Sequence, residues 1–301
     1  MLILLNILLV LLRCLAALPL KVLYTFTGFV SWLLRVVFHY RREVVTVNLA
    51  RSFPDKSYEE IRQLSKQFYR HLGEIFAETL WFGGCRKGER FRRQGLVVET
   101  NPELLDTLKG ERGALVMTSH CGNWELLGGM MEYDPREGAS RPYAAADVVV
   151  VYKQLSNQVW NEVMRLNRSA PARRLGFNGY VSSKEILRYA LTHRGEGKWY
   201  FFPNDQFPYA NARVSETVSF MHQKTKVMLG AAALARKLAL PVVYMGMASV
   251  ARGRYEVTYT LLTSDASQIG EKELMEKYFS LLERDLESIP WNYLWSHKRW
   301  K

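Results

Sequence analysis

The sequence has few cysteines, and they lack the arrangement of a metal site or of a disulfide framework. Cys14, Cys85 and Cys121 are far apart and odd in number, which argues against both and favours a reducing compartment. Cys121 stands next to His120 and could be a nucleophile, but no second base accompanies it. We therefore expect Cys121 to be a small buried side chain.

The chain also lacks linkers, low-complexity stretches and internal repeats. Its 301 residues with 48% hydrophobic content suffice for one compact domain with a membrane anchor, and two independent domains would be a tight fit. Lys and Arg outnumber Asp and Glu by 41 to 29, and the net charge of +12 favours a polyanionic partner or an anionic membrane surface. The basic residues are dispersed, without a zinc-finger, helix-turn-helix or RNA-stacking motif, so we expect no nucleic-acid partner.

Acidic residues are absent from residues 1–40. Two apolar runs, 2–20 and 22–38, flank Lys21, which is typical of a membrane-seeking segment. No basic residues precede the first run and no small-residue cleavage site follows it, so we expect a retained anchor rather than a signal peptide. One span, two spans and an in-plane anchor all fit this pattern, and the alternative is a buried helical hairpin of a soluble protein. The positive-inside bias predicts that the rest of the chain is cytoplasmic, because arginines cluster after the anchor: Arg35, Arg41, Arg42 and Arg51.

Beyond the anchor, apolar patterns of two different periods alternate along the chain. Patterns of strand type occur at 113–119, 147–152, 198–202, 241–245 and 255–262, the last of them more exposed than the others. Patterns of helical type occur at 58–81, 157–168, 182–193, 225–238 and 271–289. We therefore predict an α/β fold, a mixed sheet covered by helices. Residues 1–40 form the membrane anchor and residues 41–301 the catalytic domain.

The chemistry is concentrated where the first of these strands ends. His120 directly follows the strand, Gly122 permits a tight turn, and Asn123 can cap the helix that follows. Glu125 then falls in the first helical turn, where we expect it to fold back and orient the imidazole. Such a pair is suited to deprotonating a hydroxyl group. Because the chain has no Gly-x-Ser-x-Gly serine elbow, the hydroxyl would attack a thioester directly, without an acyl-enzyme.

Four further residues are candidates for substrate binding. Lys153 ends a strand and could polarise the thioester carbonyl or hold a phosphate, although a solvated loop lysine fits equally well. Asp205 and Gln206 follow another apolar strand, at the sheet edge where α/β sites form, and a simple turn is the alternative. Lys224 precedes Thr225, which could cap the predicted helix at 225–238 and present backbone amides to an anion.

The motif Ser119–Glu125 resembles the first motif of the bacterial lipid A late acyltransferases, the lauroyl and myristoyl transferases related to lysophospholipid acyltransferases. The likeness covers nearly the whole chain. Its specific parts are this His-containing motif and the ending Trp295-Ser-His-Lys-Arg-Trp300. Further segments match in order: Tyr40-Arg-Arg with Asn48-Leu49, and residues 151–157, 204–208, 220–225 and 290–294.

The resemblance implies a function and a location. It makes His120 the general base and Glu125 its partner, in a domain of acyltransferase type at the bacterial inner membrane, on the cytoplasmic side. The implied donor is an acyl carrier protein thioester, with acyl-CoA as the alternative, and the acceptor is a lipid A precursor or a related glycolipid. No metal or cofactor is implied. The alternatives are a lysophospholipid or aminolipid acceptor, or a catalytically silent membrane-binding homologue. The sequence departs from the family at Lys153, where the family commonly has arginine.

Overall fold

The computed structural model describes residues 2–108, 110, 112–133, 143–177, 179–208 and 216–300. Within them the helices are α1 (Leu2–Ala17), α2 (Leu20–Val36), α3 (Arg42–Ser52), α4 (Tyr58–Phe82), α5 (Gly88–Gln94), α6 (Glu103–Asp106), α7 (Gln158–Arg168), α8 (Ile186–Thr192), α9 (Gly230–Leu238) and α10 (Glu271–Ser288). The strands are β1 (Val97–Glu99), β2 (Ala114–Thr118), β3 (Val148–Tyr152), β4 (Tyr180–Ser182), β5 (Trp199–Pro203), β6 (Glu216–Phe220), β7 (Gln223–Val227), β8 (Val242–Ala251) and β9 (Arg254–Thr263).

Seven of the described strands form one mixed sheet in the order β1-β9-β8-β2-β5-β3-β4. Neighbouring strands are parallel except β8 and β9, which are antiparallel. β6 and β7 form a separate antiparallel hairpin. The predicted α/β fold, a helix-covered mixed sheet, is confirmed.

The central strands are apolar throughout because both faces of the sheet are covered. Every residue of β2 is buried, and its side chains alternate between two hydrophobic cores. Leu115 and Met117 face the core that includes α9 and α10. Ala114 and Val116 face the other core, which includes the end of α4 and Phe91 of α5. Continuous apolar runs of this kind are typical of strands buried on both sides.

The N-terminal helices lie against α4. The two helical segments Leu8–Ala17 and Leu20–Val36 are bent by 117° at the break between them. One face of α2, including Thr27 and Ser31, is buried, and Gly73 of α4 leaves room for this close approach. The opposite face exposes large apolar side chains, among them Phe29 at 58%. In the described residues, no single helix is both long and apolar enough to cross a membrane, although the bent pair together meets that criterion.

The helix predicted at 225–238 begins later than expected, because residues 223–227 belong to a hairpin. Thr225 does not cap a helix. Its hydroxyl donates to the carbonyl of Gln223 and accepts from the indole of Trp300. The turn between β6 and β7 is made by Met221 and His222, both with positive φ. Because the turn has no Gly or Asn, no turn signal in the sequence indicates a hairpin here.

Candidate active site

The ends of two neighbouring parallel strands bring the candidate site residues together. Thr118 at the end of β2 pairs in register with Pro203 at the end of β5. The backbone N–H of Asn204 donates to the carbonyl of Thr118 at 3.1 Å, which continues the pairing by one residue. His120 and Asp205 therefore leave the sheet side by side at its carboxyl edge, where sites of α/β proteins commonly form.

The imidazole of His120 is held by a buried carboxylate. Nδ1 lies 2.8 Å from Oδ1 of Asp205, and the same oxygen accepts the backbone N–H of His120 at 3.1 Å. The Asp205 side chain is 1% exposed and the His120 side chain 15%. Burial raises the pKa of Asp205, but the charge of His120 and its hydrogen bond outweigh burial and lower that pKa below the ordinary value. An ionised Asp205 assigns the proton to Nδ1 and makes Nε2 the acceptor.

Two further side chains surround the imidazole. Nε2 of Gln206 lies 3.1 Å from Nε2 of His120, so the Gln206 amide stands where a substrate hydroxyl would approach. The Trp124 ring packs against the imidazole with a centroid separation of 5.2 Å. Of the four residues predicted for substrate binding, the structure thus brings Asp205 and Gln206 into contact with His120.

Glu125 is part of this cluster, but its carboxylate bonds to other residues. It accepts two hydrogen bonds from the Arg168 guanidinium, at 2.5 and 2.6 Å, and one from the Trp124 indole N–H at 3.2 Å. Burial lowers the pKa of Arg168, but Glu125 outweighs burial and raises it, so the pair is ionic. The orienting contact that we expected from Glu125 is made by Asp205 instead.

Local geometry explains this difference. Asn123 accepts the backbone N–H of Glu125 at 3.2 Å, as the predicted cap. The segment that follows, Trp124–Glu132, is a 3₁₀ helix, and the Glu125 carboxylate meets Arg168 at the last residue of α7. A sequence separation of five residues from His120 therefore does not bring the carboxylate to Nδ1.

A buried glutamate on α4, Glu78, contacts the turn that follows His120. Glu78 accepts hydrogen bonds from Nδ2 of Asn123 (2.8 Å), from the Tyr255 hydroxyl (2.6 Å) and from the Tyr24 hydroxyl (2.8 Å). Burial raises the pKa of Glu78, which favours its neutral form. Cys121 is buried as predicted, and burial raises the pKa of its thiol well above the ordinary value. A thiol of this kind is a poor nucleophile.

Residues of the C-terminal segment 290–300 form hydrogen bonds with the backbone around His120. The Asn292 side-chain oxygen accepts the N–H groups of Gly122 (3.0 Å) and Ser249 (3.3 Å), and its amide donates to the carbonyl of Met247 (2.8 Å). Gly122 has φ +60°, and an added Cβ would lie 2.6 Å from Met247, so a side chain is excluded here. The N–H of Leu294 donates to the carbonyl of His120 at 3.1 Å.

The remainder of that motif joins segments that are distant in the sequence. Asn48 of α3 donates to the carbonyls of Trp295 and His297, both at 2.9 Å. The buried Arg299 donates to the carbonyl of Lys226 at 2.8 Å. The segments at residues 40–49 and 290–300, which the sequence resemblance singled out, therefore form one structural unit with the β6–β7 hairpin.

The two lysines predicted to bind substrate lie on or directly after strands other than those that His120 and Asp205 follow. Lys153 follows β3 directly and is exposed. β3 is parallel to β5, so Lys153 is at the same edge of the sheet as His120. Lys224 is exposed on β7 of the separate hairpin. Arg168 and Glu78 were not predicted, because neither belongs to a local pattern that includes His120.

An oriented histidine whose side chain is 15% exposed, at the carboxyl edge of an α/β sheet, defines a site suited to general-base catalysis. The family model described as bacterial lipid A biosynthesis acyltransferase matches residues 2–301, and the chain belongs to this family. The chain is therefore an acyltransferase, and the resemblance carried by the Ser119–Glu125 motif and the C-terminal ending is confirmed. No curated protein gives a significant match to the chain.

Proposed function

We propose that the chain transfers a fatty acyl group from a thioester to a hydroxyl of a lipid A precursor or a related glycolipid, with His120 as the general base. The observation that carries this proposal is the contact of His120 with the buried, ionised Asp205. Nε2 accepts the proton of the acceptor hydroxyl while that oxygen attacks the thioester carbonyl carbon. The tetrahedral intermediate then expels the thiolate, which takes the proton from Nε2 and leaves as the thiol.

Each neighbour of His120 has a role in this scheme. Asp205 holds the ring in the correct tautomer and stabilises the imidazolium that forms. Glu125 is a positioning residue, because it binds the indole N–H of Trp124 and Trp124 packs against the imidazole. Gln206 gives up its contact with Nε2 to the acceptor hydroxyl, and its amide can then donate to the carbonyl oxygen as negative charge develops there. Lys153, at the same sheet edge, adds positive charge for the donor or the acceptor.

Membrane association fits both the substrate and the surface of the protein. The exposed face of α2 carries Phe26, Phe29 and Trp32, and Arg41 and Arg42 follow it in the sequence. Such a face inserts into a leaflet, and the arginines contact anionic headgroups. We assign residues 1–40 as the anchor and residues 41–301 as the catalytic domain, on the cytoplasmic side of the bacterial inner membrane. Acyl carrier protein and acyl-CoA are both anionic donors, which suits the charge of +12.

The test compares full-length protein with the His120→Ala variant, using an acyl carrier protein thioester and a lipid A precursor. We expect a loss of about 10²–10⁴ in kcat, with thermal unfolding unchanged. His193→Ala is the control, because His193 contacts Tyr189 at the end of α8 and should keep full activity. If His120→Ala retains activity within a few-fold of wild type, the mechanism is wrong.

Lipid mass spectrometry of cells with and without the gene identifies the acceptor. A missing acyl chain on lipid A supports the proposed acceptor and gives the chain length. A missing chain on a phospholipid or an aminolipid instead would reassign the acceptor and leave the His120 chemistry in place. Unchanged lipids together with an inactive purified protein would indicate a catalytically silent homologue.

A further inference from the structure

A basic cleft lies between the turn that joins α1 to α2 and the helix α5. Its volume is about 590 Å³, and its apolar lining residues, Leu20 and Trp81, are themselves almost fully buried. Four cations also line it: Lys21, Lys87, Arg90 and Arg93. None of the residues around His120 lines this cleft, so it is separate from the candidate active site.

The positive charge of the cleft is only partly neutralised. Glu89 is the acid among the lining residues, and it bonds to Arg93. Within the part of the chain that the structure describes, no carboxylate pairs with Lys21, Lys87 or Arg90. Two lysines and one arginine without a carboxylate partner among the described residues therefore line the same space, which favours an anionic occupant.

One of these cations is fixed in place rather than flexible. The Arg90 guanidinium donates to the carbonyl of Ala16 at 3.2 Å and to that of Gly84 at 3.4 Å. It also stacks over the Trp81 ring, 4.9 Å from its centroid. These contacts join the end of α1 to the end of α4 and hold a cation beside the apolar part of the cleft. Lys21 and Lys87 are exposed and can close on a ligand from either side.

The position of the cleft indicates the source of the anion. Leu18 and Val22, on either side of the α1–α2 turn, are exposed and continue the apolar surface of the anchor up to the rim of the cleft. A free phosphate would contact the cations alone and leave the exposed side chains of Leu18 and Val22 without a partner. A phospholipid would place its phosphate among the cations and its glycerol and first methylene groups on this apolar surface.

We propose that this cleft binds the headgroup of an anionic phospholipid from the membrane in which the anchor lies. The proposal rests on the membrane association proposed above, and it adds a lipid site separate from the acyl acceptor. The bound lipid would connect α2, α4 and α5 at the bend of the anchor. It would thereby set the depth of the catalytic domain relative to the membrane surface.

The experiment is native mass spectrometry of the full-length protein in a neutral detergent, titrated with dioleoyl phosphatidylglycerol or dioleoyl phosphatidylcholine. We expect wild type to retain one phosphatidylglycerol and to bind phosphatidylcholine far more weakly. Lys21→Gln/Lys87→Gln should weaken phosphatidylglycerol binding by about 25-fold, from about 5-fold for each lysine that faces an anionic headgroup. The matched control is Lys184→Gln/Arg188→Gln. It removes the same charge from exposed residues at and before α8, which do not line the cleft, and should bind like wild type.

Three results would overturn the proposal. Equal weakening in the two double variants would mean that only the total charge matters. Equal affinity for phosphatidylcholine would mean that the anion is not recognised. Displacement of the lipid by inorganic phosphate at similar concentrations would identify a free phosphate site. The measurement requires neither acyl transfer nor insertion into a bilayer, so its failure is distinguishable from a failure of the proposed function.

Discussion

Replacing Asp205 with Asn tests which carboxylate serves His120. Oδ1 of Asp205 accepts both the ring N–H and the backbone N–H of His120, at 2.8 and 3.1 Å. The amide has nearly the same shape but no charge to stabilise the imidazolium. A hydrogen bond to a charged group contributes about 1.5–3 kcal/mol. We therefore expect kcat to fall by about 10- to 150-fold in Asp205→Asn.

Glu125→Gln is the comparison that separates the two roles. The substitution leaves Arg168, whose side chain is 23% exposed, beside a neutral amide. We expect a loss of about 1–3 kcal/mol in the free energy of unfolding, and a smaller loss of kcat than in Asp205→Asn. In the double variant Glu125→Gln/Arg168→Gln the stranded cation is gone, so stability should be partly restored.

The assay combines single-turnover acyl transfer in mixed micelles with thermal unfolding of the same four proteins. One pattern would refute our interpretation of the geometry. In it, Glu125→Gln loses as much kcat as Asp205→Asn, keeps the wild-type melting temperature, and gains nothing from the second substitution. Glu125 would then act on His120 directly during the reaction, as the sequence motif suggested.

Four further predictions concern Glu78, Asn292, Lys153 and the anchor at residues 1–40. Glu78→Gln should keep kcat within a few-fold of wild type, because the amide has nearly the same shape and can still form hydrogen bonds at these positions. Glu78→Leu should lower the melting temperature by several degrees, because each buried partner left unpaired costs about 1–3 kcal/mol; equal melting temperatures would contradict this. Asn292→Ala should lower kcat more than it raises KM, by about tenfold, since a shift of the His120 backbone misplaces the base; a change in KM alone would contradict it. Lys153→Met should slow transfer while Lys153→Arg retains it, and equal kcat/KM for Met and wild type would leave Lys153 an ordinary surface lysine. Washing membranes with high salt should leave the full-length protein in the pellet, whereas release by salt would show that residues 1–40 attach electrostatically.

The lowered pKa of Asp205 also predicts how stability depends on pH. A carboxyl whose pKa is lower in the folded state adds stability above the unfolded value, here close to 3.8, and loses it as the pH falls through the folded value. The difference in unfolding free energy between wild type and Asp205→Asn should therefore shrink as the pH falls below about 4. Chemical denaturation at several pH values measures it. A difference that grows as the pH falls would contradict the direction of the shift.

The strands around His120 could be predicted from the sequence, because strands buried on both faces are apolar throughout. The position of His120 at the end of β2 followed from this pattern, as did that of Asp205 after β5. Their mutual contact did not follow, because it requires β5 to pair directly with β2, and strand order is a property of the whole sheet. Glu125 is close to His120 in sequence, but the 3₁₀ helix that begins at Trp124 brings its carboxylate to Arg168 instead.

The side-chain contacts that could not be predicted join residues that are far apart in the sequence. Arg168 reaches Glu125 from the end of α7, and Glu78 reaches Asn123 from α4. Nothing in the local pattern of either residue distinguishes it from a surface residue of an amphipathic helix. The β6–β7 hairpin was missed for a different reason, because its turn uses Met221 and His222 in a conformation that Gly or Asn adopts more readily.

The His-containing motif and the C-terminal segment 290–300 are parts of one structure. His120 can act only if its backbone is fixed, and Gly122 at φ +60° cannot fix it alone, because glycine permits many conformations. Asn292 supplies the missing restraint through the N–H of Gly122, and Leu294 adds a second one through the carbonyl of His120. The C-terminal motif is in turn held by Asn48 of α3, which follows the anchor. The geometry of the base therefore depends on contacts from both ends of the chain.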